Sequence, residues 1–303
     1  MSNPHHIKVS LVQHACQADR AYNLSNIVEG IKSAAQQGAQ LVLLQELHNS
    51  LYFCQTESNS HFELAEPIPG PSTSELSLLA REYDLVIVAS LFERRASGLY
   101  HNTAVVLDSD GRLAGIYRKM HIPDDPGYYE KFYFTPGDLG FTPIKTSIGN
   151  LGILICWDQW FPEAARLMAL AGADILLYPT AIGWDQQDSE EEKQRQLQAW
   201  ITIQRAHAIA NGLPLLACNR IGFETAPNDA QTGIDFWGNS FICGPQGEIL
   251  AQAAQNQSAV LVTELDMHAT EQVRRSWPYL RDRRIDAYQG LNQRYLDNPI
   301  QDE

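Results

Sequence analysis

Gly149-Asn-Leu-Gly-Ile-Leu-Ile-Cys-Trp-Asp-Gln-Trp-Phe-Pro-Glu-Ala-Ala-Arg166 is the stretch on which the reading of this chain turns. Leu151 to Ile155 is an apolar, β-branched run of the length of a buried strand, and Cys156 stands at its end. Pro162 suits the first position of a helix, where its missing N–H has no partner to lose. That helix is predicted over Glu163 to Ala171, with Gly172 free to adopt the left-handed cap that ends it. A second buried strand, Ile175 to Tyr178, leads into Pro179-Thr-Ala-Ile-Gly-Trp184. The pattern is a β–α–β unit with a cysteine at the carboxyl end of its first strand. In open α/β sheets that end is where ligands bind.

Outward from this unit the same alternation continues. Strands are predicted at Ile7 to Gln13, Leu41 to Leu44, Leu85 to Phe92, Asn102 to Leu107 and Leu113 to Arg118, the last two joined by the Asp108-Ser-Asp-Gly111 turn. Further strands are expected at Leu213 to Arg220, Ser240 to Gly244 and Ala259 to Leu265. Helical spacing covers Asp19 to Gln37 and Asp188 to Ala210, and a third helix is expected to start at a Ser72 cap with Glu75 completing a capping box. Ser50 to Pro71 and Asp124 to Gly140 read as loops, the latter long enough to build a binding site. About twelve strands exceed a single sheet, so two packed sheets are expected. No linker or repeat divides the chain, which reads as one domain over residues 1–303 with a surface extension from about His268.

Of the 303 residues 44% are hydrophobic, enough for a large core, and the formal net charge is −14. That charge argues against nucleic-acid and anionic-membrane partners, which require basic patches. No apolar run reaches the length of a membrane span, and the first residues lack the regions of a signal peptide. The five cysteines show no regular spacing, and C-x-x-C, H-E-x-x-H and glycine-rich phosphate loops are missing. A reduced, cytoplasmic setting without a metal site is the expectation.

Glu46, Lys119 and Cys156 each follow a predicted strand immediately or within one residue. If those strands are neighbours, a carboxylate, an ammonium and a thiol meet at one edge. A thiol at its ordinary pKa of about 8.5 needs a base or a positive neighbour to become a nucleophile. Glu46 can take its proton and later activate water, and Lys119 with a backbone N–H can face a developing oxyanion. Taken singly, a strand-end cysteine is more often packing, and a strand-end Glu or Lys more often solvated. The three together support a cysteine hydrolase.

Gln45-Glu46, Arg118-Lys-Met-His-Ile-Pro123 and Ile155-Cys-Trp-Asp158 resemble the three signature segments of the nitrilase superfamily, in that family's order of Glu, Lys and Cys. Asp124 to Phe134, Tyr178 to Gly183, Asn219-Arg-Ile-Gly222 and Tyr279 to Arg284 extend the resemblance across most of the chain, and make it sharpest to the polyamine branch. The resemblance implies an α/β fold, an αββα sandwich of two mixed sheets with outer helices. It implies no metal or organic cofactor, and assembly into dimers or multiples of dimers. It places catalytic roles on Glu46, Lys119 and Cys156, and matches Glu130 to a second glutamate near the lysine. The branch implies hydrolysis of N-carbamoylputrescine, a small cationic substrate. Its ammonium calls for a carboxylate, with Asp185 first and Asp125 second, while Tyr52, Trp157 and Trp184 line the apolar middle. His121 and His207 are expected to be structural. The alternatives are another carbamoyl or ω-amide hydrolase, such as a β-ureidopropionase, and a catalytically silent binding protein. The former would need a cation for a substrate carboxylate, and no basic residue stands between Pro179 and Lys193.

Overall fold

The computed structural model describes residues 5–226 and 229–296. In chain order the elements are β1 (His6–Gln13), α1 (Arg20–Gln36), β2 (Leu41–Leu44), α2 (Pro71–Tyr83), β3 (Val86–Ala96), β4 (Leu99–Leu107), β5 (Leu113–Arg118), α3 (Glu130–Tyr133), β6 (Ile144–Thr146), β7 (Gly149–Ile153), α4 (Pro162–Leu170) and β8 (Ile175–Pro179). Then follow β9 (Gly183–Asp185), α5 (Glu190–Asn211), β10 (Leu215–Cys218), β11 (Ile221–Ala226), β12 (Asp229–Trp237), β13 (Phe241–Cys243), β14 (Ile249–Gln252), β15 (Ala259–Asp266) and α6 (Met267–Ser276). One six-stranded sheet has the order β15-β1-β2-β3-β4-β5, and a second has β14-β13-β10-β8-β7-β6. Both are mixed. The central pairs β1–β2, β2–β3, β7–β8 and β8–β10 are parallel, and the outer pairs antiparallel.

The layers follow from the side-chain period of two. All four residues of β2 are buried because both faces of its sheet are covered. Leu41 and Leu43 join a core with Leu151, Ile153, Leu176 and Leu215 of the other sheet, whereas Val42 and Leu44 pack with Ile27, Ile31 and Leu76 of α1 and α2. On the far side α4 and α5 add Met168, Trp200 and Ala208 to the first core. The result is the expected αββα sandwich. Gly30 lets α1 approach its sheet, since a Cβ there would lie 2.5 Å from Val12 Cγ1.

Several boundaries depart from the sequence reading. The helix expected to start at Ser72 is α2, which starts at Pro71 after a Gly70 cap; Thr73 Oγ1, not a Ser72–Glu75 pair, accepts the Gly70 N–H. Ser72 is instead buried, and its N–H donates to Glu66. The loop 124–140 contains the helical turn α3, and β3 runs on into a hairpin with β4. A three-stranded sheet, β11-β12-β9, was not expected at all. The extension begins with α6, capped by Asp266 and largely exposed.

Candidate active site

β3 and β4 lie between β2 and β5 in the first sheet, and β7 belongs to the second, yet the residues that follow the three carboxyl ends meet. Glu46 comes two residues after β2 and Lys119 directly after β5, and both are fully buried. Lys119 Nζ donates to Glu46 Oε1 at 2.9 Å and to Glu130 Oε2 at 2.6 Å. Asn102 Nδ2 also donates to Glu46 Oε1, at 2.7 Å. The other oxygen, Glu46 Oε2, is buried with no hydrogen-bond partner among the described residues, so it is free to accept a proton. Glu130, at the start of α3, accepts the Tyr52 hydroxyl on Oε1 at 2.7 Å.

Cys156 lies past the end of β7 rather than on it, because Leu154 and Ile155 remain buried but leave the regular ladder. Its φ is 43°, a left-handed conformation that costs a non-glycine residue about 1–3 kcal/mol. Asp158 holds this turn. Its Oδ2 accepts the Ile155 N–H at 2.9 Å and the Tyr117 hydroxyl at 2.7 Å, while Oδ1 accepts the His121 N–H at 3.0 Å and meets His121 Nδ1 at 2.7 Å. One carboxylate therefore ties the cysteine turn to the segment after Lys119. The Cys156 thiol donates to Ala181 O at 3.6 Å.

Burial, with the Glu46 charge beside it, holds the Cys156 thiol well above its ordinary range, against the pull of Lys119. Burial works against the Lys119 ammonium, but the Glu130 and Glu46 carboxylates outweigh it and keep the lysine charged. Burial also pushes the Glu130 carboxyl up; Lys119 opposes this and Glu46 adds to it. At rest the thiol is neutral and the charges sit on the Lys–Glu cluster. Ionisation of the thiol requires transfer of its proton to a neighbouring base.

Cys156 opens onto a cavity of about 430 Å³. Trp157, Trp160, Tyr128, Ile182 and Trp237 give it apolar walls, and Asp125, Asp185 and Asp188 are the charged residues that line it. Trp157, Asp125 and Asp185 are thus among its lining residues. Asp125 and Asp185 are exposed, and the Asp185 side chain accepts the Gln187 N–H at 2.8 Å. Tyr52 and Trp184 are not among the lining residues. Tyr52 is spent on Glu130, and Trp184 points to the opposite side of β9 from its neighbours Gly183 and Asp185, donating Nε1–H to Lys193 O at 2.9 Å. His121 Nδ1 meets Asp158 and His207 Nδ1 meets the Tyr178 hydroxyl. Asp158, Tyr128 and the fully buried Arg220 fall in segments the sequence marks out without a site role for them, and Asp188 and Trp237 carry no such signal. A larger groove of about 750 Å³ between β5 and β6 contains no cysteine.

Comparison with known proteins agrees with this geometry. The profile of the family described as carbon-nitrogen hydrolase matches residues 8–275. The chain is 43% identical over 296 residues to an N-carbamoylputrescine amidase of Solanum lycopersicum, covering 97% of each chain. It is 41% identical over 290 residues to a citrullinase of Francisella tularensis, covering 95% of this chain and 99% of that one. A crystal structure of a carbon-nitrogen hydrolase from Helicobacter pylori G27 superposes with a TM-score of 0.93 at 54% identity, over 96% of this chain and 100% of that one. With its αββα sandwich and its Glu, Lys and Cys meeting at the strand ends, the protein belongs to the carbon-nitrogen hydrolase family.

Proposed function

We propose that this protein hydrolyses N-carbamoylputrescine to putrescine, ammonia and carbon dioxide through a carbamoyl thioester on Cys156. The observation that carries the reading is the charge of the cavity: among the described residues, Cys156 lines it with three aspartates and no Lys, Arg or His. A carbamoyl group at the thiol, a methylene chain along Trp157 and Trp160 and an ammonium among the aspartates fit that lining. In the first half-reaction Glu46 Oε2 takes the thiol proton as sulfur bonds to the carbamoyl carbon. The carbonyl oxygen takes up the negative charge beside Lys119 Nζ and the N–H groups of the turn after Cys156. The C–N bond to putrescine then breaks, and the proton returns from Glu46 to the leaving amine. Water, deprotonated by Glu46, cleaves the thioester, and the released carbamate decomposes to ammonia and carbon dioxide. Glu130 holds Lys119 between two carboxylates and keeps it cationic throughout.

The citrullinase relative supports a second reading, since citrulline carries the same ureido group. Citrulline also carries a carboxylate, which three aspartates and no cation disfavour. Ammonia release from N-carbamoylputrescine, citrulline, N-carbamoyl-β-alanine and glutaramate separates these readings. The proposal expects N-carbamoylputrescine to have the highest kcat/KM; preference for citrulline would replace it. Self-association and a cytoplasmic location are part of the same proposal. Exposed Trp277, Ile285, Leu291, Tyr295 and Leu296 on the C-terminal segment support the first.

A further inference from the structure

Arg220 and Glu224 form a buried ion pair at 2.7 Å outside the ring of groups that face the thiol. The Arg220 guanidinium lies 5.9 Å from the centroid of the Tyr52 ring and 5.2 Å from that of Phe236. Its Nη2 donates to Glu46 O at 2.7 Å and Leu47 O at 3.0 Å, and its Nη1 donates to Ser50 O at 3.2 Å as well as to Glu224. Leu47 sits at φ 47°, a conformation that persists in a branched residue only where its surroundings impose it. On the other side of the pair, Glu224 Oε2 accepts the Tyr52 N–H, and the Tyr52 hydroxyl donates to Glu130. A buried ion pair is a weak source of stability, because apolar residues of like volume often replace it at no loss. Its bonds here run to the backbone of one carboxylate and the orienting tyrosine of the other.

We propose that Arg220 and Glu224 are a positioning pair for the reaction. Arg220 fixes the main chain that carries Glu46, and Glu224 fixes Tyr52, which orients Glu130. The two carboxylates that bracket Lys119 Nζ are thereby set by one device. The proposal rests on the roles given above to Glu46 and Glu130.

A kinetic double-mutant cycle on Glu224→Gln and Tyr52→Phe tests it, since neither change removes a group that lines the substrate cavity. Each single variant should lower kcat for N-carbamoylputrescine by about 10- to 100-fold, the scale of a misplaced catalytic group, with KM moved less than about twofold. Because both cut the same link, the double variant should be no more than about threefold worse than the poorer single one. Alkylation of Cys156 by iodoacetamide, followed in the same proteins, should slow with the same non-additivity. It reads the pair even where N-carbamoylputrescine is not turned over, a result that would sink the substrate and leave the pair standing. If Glu224→Gln does not fold, Glu224→Asp, which keeps the charge beside Arg220 but shortens the reach to the Tyr52 N–H, takes its place in the cycle. Normal kcat and alkylation in folded variants that have lost only thermal stability would overturn the proposal. So would losses that multiply in the double variant.

Discussion

In the proposed reaction the chemistry falls to Cys156, Glu46 and Lys119, and the first two have separable signatures. Cys156→Ser should abolish turnover, because the hydroxyl that replaces the thiol is far harder to ionise. Glu46→Gln keeps the acceptor for Asn102 and Lys119 but loses the proton acceptor at Oε2, so kcat should fall by about 10²–10⁴-fold with the fold intact. Near-normal turnover in Glu46→Gln, assayed alongside a Glu130→Gln control, would move the base to another group. All five cysteines are buried, and burial holds every thiol above its ordinary pKa. Selectivity in labelling must therefore come from access, and Cys156 is the cysteine that lines the cavity. Peptide mapping after limited iodoacetamide treatment should find Cys156 alkylated first; earlier modification of Cys16, itself 7% exposed, would contradict the assignment. These three positions could be picked out in the sequence because strand ends are marked by where an apolar run stops. Tyr52 was assigned to the cavity wall because an aromatic residue in a loop shows nothing of the carboxylate it will meet.

At the scale of elements, the strained turn at Cys156 depends on Asp158, which no amide can replace. One amide end would set N–H groups against the N–H of Ile155 or His121, leaving buried donors unsatisfied at about 1–3 kcal/mol. Asp158→Asn should lower the thermal midpoint and also reduce kcat well below the range where unfolding contributes. A variant with both unchanged would show that the turn holds itself. The sheet β11-β12-β9 builds part of the cavity wall yet was invisible in the sequence. Gly222, Thr225 and Gly233 interrupt its apolar residues, so no period of two can be followed. The cavity's acids share this limit: Asp185 stood out as the residue just after Trp184, whereas Asp188 read as the start of a long helix. Gly183 is a tight point of that sheet, as Gly233 is between β12 and β11, since a Cβ at Gly183 would lie 2.4 Å from Asp235 O. Any side chain must push β9 away from β12, and Asp185 with it.

Across the whole molecule, the sandwich was foreseeable because buried parallel strands are continuous apolar runs, and the β–α–β unit around Cys156 shows two of them. What the period could not show is which titratable side chains end up buried, and buried histidines make the molecule sensitive to acid. Burial lowers His14 and His207 to about 4 and His48 to about 3, from an ordinary 6.5. The unfolded chain binds protons at these positions below 6.5 while the folded chain does not, so stability must fall as pH drops through that window. By pH 5 each histidine should cost about 2 kcal/mol, readable as a lower urea midpoint than at pH 7. A midpoint unchanged between pH 7 and pH 5 would mean that other groups offset them. The reaction itself is tested most directly by the mass of the intact chain, quenched in acid during steady-state turnover of N-carbamoylputrescine. A fraction of the wild-type protein should carry one added carbamoyl group, mapped to the Cys156 peptide and absent from Cys156→Ala. Hydrolysis that proceeds in Cys156→Ala, or a carbamoyl group found on another residue, would contradict the mechanism.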